Sequence, residues 1–88
     1  MSLIDPAFLK ELRCPETYQQ VAEADAVTVA ELNKQIASGS LKNRNGKAIT
    51  EKIDGALMRQ DGRMAYAIRN RIPIMIREEG IPLAVGQQ

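Results

Sequence analysis

The 88-residue sequence predicts an α+β fold, and three observations carry that prediction. Residues 25–39 repeat their apolar side chains at helical spacing, and beyond Leu41 the repeat shortens to two. Asn45-Gly46 and Asp61-Gly62 then punctuate the second half with dipeptides favoured in two-residue hairpin turns, whose central residues both need positive φ. Two helices on a small antiparallel sheet satisfy all three.

Taken in order, Asp5-Pro6 reads as an N-cap followed by proline at the first helical position, with Phe8, Leu9 and Leu12 on one side of a short helix. This helix should stop near Arg13, because the residue preceding Pro15 is pushed out of the helical region. A second helix is predicted from Asp25. Val29, Leu32 and Ile36 line its buried face, Thr28 and Glu31 form a capping box if it starts later, and Gly39 stops it. A two-residue turn at Asp61-Gly62 would pair Leu57 with Tyr66 and Arg59 with Met64. Ile72, Ile74 and Ile76 in "RIPIMIR" predict a further strand, which Pro73 confines to a sheet edge or a bulge because it has no N–H to donate.

Length limits the chain to one domain over residues 1–88 with a single modest core. Twelve Lys and Arg against eleven Asp and Glu leave a net charge of +1, which gives no support to sequence-independent nucleic-acid binding. One cysteine excludes an intrachain disulfide, and no apolar run approaches the ~20 residues that span a bilayer. The start "MSLIDPAFLKEL" lacks the basic and long apolar regions of a signal peptide, so the expected location is cytoplasmic. There is no histidine, hence neither the commonest general base nor the commonest metal ligand.

"LKELRCPET" begins like half of a zinc knuckle, but Thr17 stands where a second thiolate belongs. Cys14 lacks a histidine to activate it as a nucleophile, and structural zinc sites are built almost wholly from cysteine and histidine, so a small apolar role at the end of the first helix is expected. Lys42, Arg44 and Lys47 decorate the "LKNRNGK" turn without an aromatic for base stacking, and read as a solvated tip. Asp54 and Asp61 adjoin glycines, as turn carboxylates do, and nothing in the sequence draws them together as an acid/base pair. Tyr66, alternating with Met64 and Ile68, reads as core. No catalytic residue, cofactor or metal is expected.

Leu9, Leu12, Cys14 and Pro15 at the front, with Ala65, Tyr66, Ile68, Arg69, Ile72, Pro73 and Ile74 at the back, resemble a small zinc-ribbon-like family. It includes the activator subunit of tRNA, rRNA and release-factor methyltransferases and the short bacterial YcaR-like proteins, whose pattern runs "L..L.CP.C", an insert, then "C..(C or D).LAYPIRDGIPVML". By that spacing the ligand positions fall at Cys14, Thr17, Arg59 and Gly62, so three of the four are lost here. The resemblance implies a metal-free branch with a zinc-ribbon-like frame, in which the Asp61-Gly62 hairpin closes the sheet where zinc would clamp it. Ala67 replaces the family's proline and Arg71 its turn glycine. If that turn needs positive φ, Asn70 tolerates it better than Arg71.

The same resemblance implies a non-catalytic accessory module that docks on a larger enzyme, in the activator case an S-adenosylmethionine-dependent methyltransferase. A physical route is strand addition at the "RIPIMIR" edge, with one isoleucine row in the core and Pro73 and Met75 outside, extended by Ile81 and Leu83 of the tail. Completion of the monomer's own core, or a homodimer, would use these residues equally well. The alternative function is a weak RNA-binding module built on Arg44, Lys47, Arg63 and Arg69.

Overall fold

The computed structural model describes residues 4–83. Helix α1 spans Pro6–Glu11 and is capped as its first residues require, with Asp5 Oδ1 accepting the Ala7 N–H at 2.8 Å. It ends when Leu12 turns extended, ahead of Pro15. Phe8 departs from expectation: Leu9 and Leu12 pack inward, whereas Phe8 faces solvent. The chain then folds back through residues 14–19, where Cys14 N–H donates to Gln19 O and Tyr18 N–H to Cys14 O, both at 2.8 Å.

Strand β1, Val21–Glu23, leads into helix α2, Ala26–Ala37. The α2 cap is Asp25 itself, which accepts the Thr28 N–H, so the later capping box at Thr28 is not used. Gly39, at φ +78°, ends the helix as predicted. Asn33 ties α2 to the long loop that follows, donating to Ile53 O at 3.0 Å and accepting from Ile53 N at 2.9 Å. Within that loop the two-residue turn expected at Asn45-Gly46 does not form, since only Gly46 takes positive φ. A lone Lys42–Ala48 bridge closes it instead, around a buried Asn43 whose Oδ1 accepts from Asn45 N and Lys47 N.

Strands β2 (Gly55–Arg59) and β3 (Met64–Arg69) form the centre of the sheet, with Leu57 opposite Tyr66 as expected. Their connection is not the two-residue turn foreseen. Asp61 keeps negative φ and only Gly62 is left-handed, at +73°, its N–H donating to Arg59 O. The two-residue turn with both φ positive occurs instead at Asn70 (+54°) and Arg71 (+63°), between paired Arg69 and Ile72.

"RIPIMIR" is not one strand. Only Ile72–Pro73 pairs, as β4; a 3₁₀ turn at Arg77–Glu79 follows, and β5, Ile81–Pro82, returns to β3. All pairings are antiparallel in the order β1-β2-β3-β4, with β5 joining β3 at its Met64 end. Gly80 precedes β5 in a tight place, where a Cβ would lie 3.0 Å from Met64 Sδ and 3.2 Å from Tyr66 Cε1.

The period-two pattern sorts residues by size as well as polarity. Ala56, Ala65 and Ala67 face Leu32 and Ile36 of α2, with Leu41, Ile53 and Ile81 completing that core. Leu57, Met64, Tyr66 and Ile68 face the other way, onto Ile4, Cys14, Val21 and the inward residues of α1. Short side chains on one face let α2 lie close to the sheet, and long ones fill the wider space on the other. These features define a small α+β fold. Among the described residues, no helix is long and apolar enough to cross a membrane.

Candidate functional site

Two places merit a functional reading: the 14–19 turn with the β2–β3 connection beside it, and the β4 edge. At the first, Cys14 is fully buried and far from a plain apolar filler. Its Sγ lies 2.9 Å from Tyr66 Oη, receives the Glu16 N–H at 3.4 Å, and has Arg59 Nη1 at 3.8 Å. Burial pushes the thiol pKa up, but hydrogen bonds from the Tyr66 and Thr17 side chains and from backbone N–H groups outweigh it. The net result is a fall from 9.0 to about 7. Tyr66 is driven up, first by burial and then by its bond to Cys14.

Arg59 is the charge at the centre of this cluster, only 9% exposed. Its Nε donates to Asp61 Oδ1 and its Nη2 to Asp61 Oδ2, each at 2.8 Å, a bidentate fork, while Nη1 reaches Glu16 Oε1 at 3.3 Å. Glu16 also pairs with Arg44, whose backbone N–H is held by Gly80 O. These bonds hold the Asp61 carboxyl well below the usual carboxylate range, Arg59 first, then the Arg63 N–H. Of the four degenerate ligand positions that the resemblance implies, Arg59 reaches the Cys14 sulfur, Thr17 lies in the same 14–19 turn, and Gly62 N–H donates to Arg59 O. Their chemistry is that of a guanidinium between a thiol and two carboxylates. Among the described residues, no group of three or more His, Cys, Asp or Glu is placed to hold a metal ion.

This cluster joins residues 45 apart in sequence; their proximity follows from the ligand spacing that the resemblance implies, whereas the role of Arg59 as a guanidinium bonded to Asp61 and Glu16 was not foreseen. Asp54 and Asp61 have separate duties: Asp54 Oδ2 accepts the Asn70 N–H at 2.7 Å and braces the left-handed turn, while Asp61 holds Arg59. The proposed cationic set is also partly committed. Lys42, Arg44 and Lys47 are exposed, as a solvated tip would have them, but Arg44 also pairs with Glu16, and Arg69 donates to the carbonyls of Glu51 and Lys52.

At the β4 edge the expected residues fare unevenly. Pro73 does lie on a terminal strand. Met75 is half-buried against the Tyr66 side of the core and Ile74 against the α2 side, because the chain crosses the sheet edge between them. Ile81 is 1% exposed and Leu83 packs beside it, so both complete the core and Ile81 offers no surface. The residues left outside are Ile72, 61% exposed, and Ile76, 54% exposed, which the isoleucine-row reading had placed inside. A cavity of about 210 Å³ opens between the 47–51 segment and this end of the sheet, with Lys47 and Arg69 on its walls alongside Glu51 and Glu79. Its charges offset one another and favour no ligand class.

No family model and no curated protein matches the chain. Among solved structures it is similar to XF2673 from Xylella fastidiosa, determined by solution NMR. The identity is 28% and the TM-score 0.70, over 89% of this chain and 80% of that one. The likeness supports the α+β architecture.

Proposed function

We propose that this chain is a non-catalytic accessory module that docks on a larger protein through the β4 edge. The observation that carries the reading is the pair of exposed isoleucines at this edge, Ile72 on the terminal strand β4 and Ile76 in the segment that leads from it into the 3₁₀ turn. An edge strand offers backbone groups for an added strand, and exposed apolar side chains on either side give it specificity. The sequence resemblance names the partner class as an S-adenosylmethionine-dependent methyltransferase.

The test is affinity capture from native extract with wild-type chain and with Ile72→Glu/Ile76→Glu. The reading expects a methyltransferase to be retained by the wild type through a high-salt wash and lost with the double variant, at unchanged melting temperature. Equal retention by both proteins would overturn the edge assignment. Capture of nucleic acid that falls steeply with salt would favour the RNA-binding alternative.

A further inference from the structure

A groove between α1 and β1, at the opposite end of the strand order from β4, takes no part in the edge described above. It encloses about 280 Å³ and is lined by Pro6, Leu9, Lys10, Arg13, Gln20 and Val21. Sites for drug-sized ligands begin at roughly 300 Å³, so this one matches one or two inserted side chains. Its walls are apolar at Pro6, Leu9 and Val21, and among the described residues the charged groups lining it are the cations Lys10 and Arg13. Neither Asp5 nor Glu11, on the same segment, lines it.

Arg13 is held in a set orientation. Its Nη1 donates to Lys10 O at 2.6 Å and to Leu12 O at 2.9 Å, which uses both protons on that nitrogen. Nε and Nη2 have no partner among the described residues. Together they form the side of the guanidinium that receives a carboxylate in two parallel hydrogen bonds. Fixing the group beforehand removes much of the entropy that an exposed arginine would otherwise lose on binding. Capping the last carbonyls of α1 explains the Nη1 bonds but leaves the adjoining apolar groove without a role.

We propose that this groove binds a partner peptide by an apolar side chain inserted between Leu9 and Val21, with an adjacent acidic residue paired to Arg13 and Lys10 beside it. The complementarity of an apolar floor with an all-cationic rim selects that chemistry over a basic or fully polar segment.

The experiment titrates ¹⁵N-labelled full chain with three synthetic peptides: alternating leucine and glutamate, alternating leucine and lysine, and alternating serine and glutamate. The first should shift the amide resonances of Leu9, Arg13 and Val21, and the other two should bind at least roughly tenfold more weakly. Arg13→Gln should weaken the leucine–glutamate peptide by a similar factor, while Ile72→Glu/Ile76→Glu should leave it unchanged, separating this site from the β4 edge. If Arg13→Gln fails to fold, Lys10→Glu, on an exposed side chain, takes its place: weaker binding supports the proposal and equal binding overturns it. No binding, equal binding of the leucine–lysine peptide, or shifts centred on Ile72 and Ile76 would each overturn it. So would concentration-dependent shifts of the same amides without peptide, accompanied by dimer in sedimentation, since a second copy would then cover the groove.

Discussion

Arg71 adopts φ +63° directly after Asn70 at +54°, in a turn where only these two residues separate paired Arg69 from Ile72. Asn tolerates the left-handed region, but Arg incurs a Cβ–carbonyl clash of roughly 1–2 kcal/mol that glycine avoids. Arg71→Gly is therefore expected to stabilise the chain by up to about 1 kcal/mol once glycine's greater unfolded-state entropy is subtracted, as read by urea denaturation. Cys14 makes a second prediction. Its pKa is depressed by folding, from 9.0 to about 7, so its contribution to stability is present at high pH and is lost as pH falls through about 7. The melting-temperature difference between wild type and Cys14→Ser should widen from about pH 6 to pH 9, whereas a difference independent of pH would mean that the thiol stays protonated in the fold. The resemblance raised positive φ at this turn as a condition, through the glycine that Arg71 replaces, and both Asn70 and Arg71 adopt it. The thiol's hydrogen bonding was not foreseen, because beside the local Glu16 N–H it depends on Tyr66 of β3 and Arg59 of β2, which arrive by tertiary contact.

Among elements, α2 and the β2–β3 pair were legible because each repeats its period long enough to be read: Leu32 and Ile36 for the helix, Leu57 opposite Tyr66 for the hairpin. β1 and β5 escaped notice, since three and two residues carry no period. "RIPIMIR" misled for a different reason. Alternating apolar residues look the same whether a strand lies on one face or a chain wraps around a sheet edge, and here Ile74 and Met75 enter opposite sides of the core. Consequently Ile74→Glu and Met75→Glu are both expected to destabilise by roughly 2–4 kcal/mol, through charge forced against apolar groups. Ile72→Glu and Ile76→Glu should stay within about 0.5 kcal/mol in the same denaturation series. A large loss at Ile72 would place it in the core and remove the apolar edge on which docking depends.

At the scale of the molecule, a two-faced sheet is covered on one side by α2 and on the other by α1 and the 14–19 turn. The Arg59 cluster fastens that turn to the β2–β3 connection. Arg59, Glu16, Asp61, Cys14 and Tyr66 together bridge the two segments that a metal with ligands at Cys14, Thr17, Arg59 and Gly62 would bridge. A buried guanidinium with bidentate carboxylate and further hydrogen bonds meets the conditions under which a desolvated charge holds structure together. The account predicts that the chain folds without metal. The most direct test is the thermal melt of the purified chain with and without a strong chelator, alongside elemental analysis of the same sample. The account predicts superimposable melts and no stoichiometric zinc; one zinc per chain, or a transition that collapses when chelator is added, would contradict it.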